Sequence, residues 1–149
     1  MARIVGIAGS LRRASFNSAL LRAAAERAPA GTEVAIASIA GIPLYDGDVE
    51  SEQGIPAAVT ELKDRIASAD GLLVVTPEYN NSVPGVLKNA VDWLSRPSKD
   101  VARVFGDKPV ALMGATTGLG GTRLAQNAWL PVLRTLGARA WFGKQLYVT

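Results

Sequence analysis

Short apolar runs and amphipathic stretches take turns along the whole chain, and that alternation leaves few folds open. Arg3–Ala8 (RIVGIA), Gly71–Thr76 (GLLVVT) and Pro109–Gly114 (PVALMG) are apolar or small almost throughout, and each halts at a polar loop. A run without polar alternation is a strand covered on both faces, the kind found in parallel sheets. Between the runs, apolar residues recur at helical spacing. Phe16, Leu20, Leu21, Ala24 and Ala28 form one stripe, Val59, Leu62, Ile66 and Ala69 a second, and Ala125, Ala128, Trp129, Val132, Leu133 and Leu136 a third. Ser15 or Asn17 can cap the first helix, and Pro29 with Gly31 closes it. Pro56 sits near the first turn of the second helix, and a further helix runs from about Gly85 to Leu94 and stops at Pro97. Glu33–Ser38 (EVAIAS) and Arg139–Val148 supply the remaining strands, and Pro131 is expected to kink the last helix.

Strand and helix patterns alternate without an internal repeat or linker, so residues 1–149 are read as a single α/β domain around a parallel sheet. Five strands predict the flavodoxin-like three-layer sandwich of order 2-1-3-4-5. Ligands in such sheets lie beyond the carboxyl ends of the strands, at the switch point where strand order reverses. Here that point falls between the first and third strands, and the loops after strands one, three and four meet there.

Two absences restrict the chemistry. The chain has no Cys and no His, which excludes disulfides, thiolate metal sites, Cys nucleophiles and any triad with an imidazole base. No metal site and no catalytic side chain is expected; an enzyme of this composition depends on a cofactor with competent chemistry of its own. The net charge of +3 comes from scattered basic residues, with Arg12 and Arg13 the one adjacent pair in the first loop, so no nucleic-acid partner is expected. The apolar runs are too short to span a bilayer and Met1–Ser10 lacks a signal-peptide core, which reads as a soluble, cytoplasmic protein without a membrane partner.

The first loop, Gly9–Asn17 (GSLRRASFN), leads from a buried strand into a helix N-terminus. Unpaired backbone amides, the helix dipole, Ser10, Ser15, Asn17 and Arg12 together suit a phosphate dianion. A Walker A loop is excluded, because no Lys follows a glycine at the required spacing, and a GxGxxG dinucleotide fingerprint is absent from this loop. The second loop, Pro77–Gly85 (PEYNNSVPG), offers backbone groups to the edge of a heteroaromatic ring while Tyr79 covers part of its face. In the third, Ala115–Thr122 (ATTGLGGT), three glycines let backbone approach a planar ligand.

The stretches GSLRRASFN at 9–17, TPEYNNSVPGVLKNAVDWLSRP at 76–97 and GATTGLGGTRLAQ at 114–126 resemble those of the NAD(P)H-dependent FMN reductases, which include bacterial chromate and quinone reductases. The similarity runs over the whole chain. It implies that Ser10, Arg12, Ser15, Phe16 and Asn17 hold the FMN phosphate, and that Pro77, Glu78, Tyr79 and Asn80 border the isoalloxazine ring. Thr116, Thr117 and Gly118 would lie at the ring's other end. It further implies NADPH or NADH as co-substrate, a small acceptor such as a quinone, flavin, azo compound, chromate or ferric complex, and a homodimer or homotetramer. Relatives usually add one more helix after the fifth strand, so this domain is expected to lack the family's C-terminal helix and to leave apolar sheet surface open. The rival reading is a flavodoxin-type FMN electron carrier, which the basic charge disfavours. Trp93 and Trp129 are expected in the core or at a subunit contact, and Lys88 with Asp92 as a surface ion pair.

Overall fold

The structure is a computed structural model that describes residues 1–144 and 146–149. Its strands are β1 (Ala2–Ala8), β2 (Thr32–Ala37), β3 (Gly71–Val75), β4 (Pro109–Ala115), β5 (Arg139–Ala140) and β6 (Leu146–Val148). The helices are α1 (Phe16–Glu26), α2 (Gly47–Gln53), α3 (Ala57–Ala67), α4 (Gly85–Leu94), α5 (Val101–Phe105) and α6 (Arg123–Thr135). All pairings are parallel and the order is β2-β1-β3-β4-β5, the flavodoxin-like arrangement expected.

The expected fifth strand is broken. Its first part pairs with Pro109 and Val110 of β4 and its second with Met113 to Ala115, so among the described residues Ala111 and Leu112 of β4 have no strand partner on that side. An edge strand has a partner on one side alone, so such a break disrupts one ladder rather than two. Two further elements, α2 and α5, fill segments that periodicity left as loop; both are shorter than the window over which a helical stripe shows. Helix α6 runs through Pro131 as one element, the proline standing on its exposed side.

Strand side chains divide the core by parity, as the pleat requires. Val5 and Ile7 of β1, Leu72 and Val74 of β3 and Val110 of β4 pack with α3, α4, α5 and α6 in the larger cluster, which also holds Trp93 and Trp129. Val75 and Met113 point to the opposite face and meet Leu21 of α1, with Leu20, Ala24 and Leu73 against them. Alongside α1 on that face runs an apolar groove whose walls include Ala19, Leu20, Ala23 and Val148.

Trp93 and Trp129 are internal, 0% and 1% exposed, so neither of these two rings is available for a subunit contact. The Trp93 indole donates to the Pro43 carbonyl at 2.9 Å, and Asn89 donates to the same oxygen at 2.8 Å while accepting from the Tyr45 amide. The loop after β2 is thus strapped to α4. Tyr45 donates to Glu50, whose carboxylate also receives Arg96 at 2.8 Å; the guanidinium holds the Glu50 carboxyl below its usual range, and the same carboxylate raises the Tyr45 phenol. Lys63 is buried, yet paired with Asp100 at 2.6 Å and with the Arg96 carbonyl, and the ammonium lowers the Asp100 carboxyl. Lys88 and Asp92 form the expected pair at 2.7 Å. Among the described residues no helix is long and apolar enough to cross a membrane, and no group of acidic residues is placed to hold a metal ion.

Candidate functional site

At the carboxyl ends of β1, β3 and β4 the three loops converge on one cleft of about 240 Å³. Its walls are Ser10, Arg12, Ser15, Phe16 and Asn17 from the first loop, Pro77, Glu78 and Tyr79 from the second, and Thr116 and Thr117 from the third. Ala115 completes the wall and was not anticipated, whereas Asn80 and Gly118 stand outside it. The cleft is smaller than the usual ligand cavity, so a heteroaromatic ligand held here remains open on one side.

The first loop is organised by its own hydrogen bonds. Ser15 caps α1, accepting from the Ser18 amide at 3.2 Å, and Ser10 Oγ accepts from the Arg12 amide at 3.3 Å. The Arg12 guanidinium lies over the Phe16 ring, 5.3 Å from its centroid, and spends one N–H on the Ala14 carbonyl at 2.7 Å. Arg12 therefore stands at the α1 N-terminus with donors left over, where the first-turn amides of Phe16 and Asn17 have no intrahelical acceptor. That combination is an anion receptacle.

Asn17, which lines the cleft, also has a role that the sequence does not show. Its side chain is buried and bonded at both ends to one residue: Nδ2 donates to the Ala115 carbonyl at 2.9 Å and Oδ1 accepts from the Ala115 amide at 2.9 Å. The Met113 carbonyl accepts from the amide of Thr76, one residue past the end of β3, and two residues on Ala115 faces that same side, where β3 no longer runs. Asn17 substitutes for the missing strand, tying the first loop to the third.

The second loop is a miniature hairpin. Tyr79 and Ser82 exchange both backbone bonds, at 3.1 and 3.0 Å, and the residues between them, Asn80 and Asn81, have φ of 50° and 61°. Two consecutive positive φ values are the signature of a type I′ turn, which asparagine tolerates. Asn80 thus shapes the loop from its exposed tip. Glu78 turns inward, and its Oε2 accepts from the Leu124 amide at 2.8 Å and the Ala125 amide at 3.1 Å. Thr122, the residue preceding α6, makes no side-chain cap bond, so Glu78 supplies the cap across 46 residues. One step back, buried Thr76 accepts from the Trp129 indole at 3.1 Å.

Gly114 lets the second and third loops come together: a Cβ there would overlap the Thr76 carbonyl and Thr122 Oγ1. Residues Thr117 to Gly120 beyond it are exposed, and Leu119 is fully so. None of the long-range struts, Asn17 to Ala115, Glu78 to α6 or Trp129 to Thr76, leaves a periodic trace in sequence.

A model of the family described as NADPH-dependent FMN reductase matches residues 2–149. The chain is 48% identical over 124 residues to an NAD(P)H-dependent FMN reductase of Pseudomonas aeruginosa, covering 83% of this chain and 65% of that one. It is 51% identical over 124 residues to a quinone reductase of Escherichia coli K12, covering 81% and 64%. The chain thus spans somewhat less than two thirds of the length of these relatives. Among solved structures, the flavoenzyme NAD(P)H:(acceptor) oxidoreductase FerB of Paracoccus denitrificans superposes with a TM-score of 0.90 at 33% identity, over 99% of this chain and 79% of that one.

Proposed function

The chain belongs to the NADPH-dependent FMN reductase family, and from that premise we propose that it binds FMN across the three-loop cleft and passes two electrons from NADPH or NADH to a small acceptor. The observation that carries this reading is the convergence of an anion receptacle, an aromatic-bearing hairpin and a glycine-rich loop on one cleft at the switch point of the sheet.

The donor set fits the cofactor. Arg12, Ser10 and the first-turn amides of α1 would hold the phosphate, while Pro77, Glu78 and Tyr79 would border the ring on one side and Thr116 and Thr117 on the other. FMN when bound supplies the hydride chemistry, which amino-acid side chains do not supply. The protein's part is to orient the ring, by a cleft whose walls Asn17 and Glu78 lock together, and to leave one face open to co-substrate and acceptor in turn. No side chain in the cleft is assigned a proton-transfer role, and Asn80 contributes through the turn it forms.

The names of the relatives support a quinone as acceptor. We also propose a homodimer or homotetramer working in the cytoplasm; because the Trp93 and Trp129 rings are internal, the contact would use outer faces of α4 and α6 rather than those two rings. A flavodoxin-type carrier without NAD(P)H oxidation is not favoured, since the chain is basic and its relatives carry reductase names. Oxidation of NADPH and NADH by the FMN-reconstituted protein, followed with and without a benzoquinone, tests the reading. Quinone-dependent turnover is expected, and tight FMN binding with no oxidation of either nucleotide would favour the carrier.

A further inference from the structure

Two of the helices that begin beside the cleft treat their N-terminal amides in opposite ways. Helix α1 is capped by a neutral hydroxyl, Ser15 Oγ on the Ser18 amide, with Arg12 beside it. Helix α6 is capped by a charge: Glu78, a cleft-lining residue, lays one carboxylate oxygen on both the Leu124 and Ala125 amides. A helix N-terminus attracts anions through its free amides and its dipole. Left alone, α1 and α6 would compete for the anionic end of any ligand spanning the loops.

We propose that Glu78 is a positioning residue that gives the cleft its polarity: its carboxylate occupies the α6 amides and leaves α1 as the helix end open to an anionic ligand group. The charge at α6 adds repulsion to occupancy, while Arg12 at α1 adds attraction, so a ligand with one anionic end enters in a single orientation. The same bond fixes the start of α6 and with it the far end of the third loop, whose residues Thr117–Gly120 are exposed. The inference deepens the FMN reading and rests on it for the identity of the anionic group, but the occupancy of the α6 amides can be tested without flavin.

Amide chemical shifts during titration of the full chain with inorganic phosphate separate the possibilities. In the unsubstituted protein the Phe16 and Asn17 amides should move and those of Leu124 and Ala125 should not. In Glu78→Ala the Leu124 and Ala125 amides should begin to move as well, and Glu78→Gln, whose amide oxygen can still cap them, should restore the original pattern. The preference for FMN over riboflavin should fall by about threefold in Glu78→Ala, the size expected of a helix-end charge effect, and recover only in part in Glu78→Gln, which keeps the α6 amides occupied and loses the charge. Phosphate shifts at Leu124 and Ala125 in the unsubstituted protein, or none there in a folded Glu78→Ala variant, overturn the proposal. If Glu78→Ala does not fold, Glu78→Gln and Glu78→Ser stand in, the shorter serine exposing the α6 amides. FMN that shifts no amide of the first loop while phosphate behaves as described would instead overturn the FMN reading and leave the role of Glu78 intact.

Discussion

Asn17 and Ala115, 98 positions apart, exchange two hydrogen bonds of 2.9 Å, side-chain amide to main-chain amide. The pair continues the β3 side of the sheet beyond the last residue of β3, and both residues line the cleft. Replacing Asn17 by Ala leaves the Ala115 N–H and C=O buried and unpaired, at about 1–3 kcal/mol for each group. We expect Asn17→Ala to lose about 2–4 kcal/mol of stability in urea unfolding and to bind flavin more weakly. Asn17→Asp, which keeps the acceptor and loses the donor, should fall between.

Arg12 reaches the α1 N-terminus from above the Phe16 ring. Charge-assisted bonds to a phosphate are worth about 1.5–3 kcal/mol each, so Arg12→Ala should weaken FMN binding about tenfold or more. Riboflavin, which lacks the phosphate, should bind the variant and the unsubstituted protein alike. Fluorescence titration of both flavins checks the pair of statements together.

The Asn80–Asn81 turn carries two positive φ values. Asn81→Gly relieves the side chain of that conformation and should leave stability unchanged or raise it by up to about 1 kcal/mol. Asn81→Val forces a β-branched residue into the left-handed region, at about 1–2 kcal/mol, and should also disturb the placement of Tyr79. Thermal unfolding should therefore place Asn81→Gly at or above the parent and Asn81→Val below it.

Acid stability follows from two carboxylates outside the cleft. Arg96 lowers the Glu50 carboxyl from its ordinary 4.5 and Lys63 lowers Asp100 from 3.8. A group whose folded value is depressed contributes stability that is present above its unfolded value and lost as pH falls through the folded one. The melting temperature should thus decline on acidification below about pH 4.5, and the decline attributable to these pairs should shrink in a Glu50→Gln, Asp100→Asn double variant. A double variant whose acid decline matched the parent's would contradict the assignment.

Much of this architecture was legible in the sequence because its signals are periodic. The runs at 3–8, 71–76 and 109–114 became β1, β3 and β4 nearly as read, since a strand buried on both faces needs apolar residues at every position. The three loops could be assigned to one site because sheet topology, once known, determines which strand ends are neighbours. What escaped were contacts between segments far apart. Asn17 read as a polar residue at a helix start, and nothing in the sequence pairs it with Ala115. Glu78 read as a loop residue beside a ring, whereas the structure turns its carboxylate onto α6. The break in the last strand escaped because an edge strand can lose register without uncovering a polar face in the core.

The account rests most directly on the claim that the cleft recognises a flavin through its phosphate at the α1 N-terminus. Equilibrium titration of the protein with FMN and with riboflavin, followed by flavin fluorescence, tests it in one measurement. The prediction is one FMN per chain with at least about tenfold preference over riboflavin, the size of a single charge-assisted phosphate contact. Equal affinities for the two flavins would contradict it.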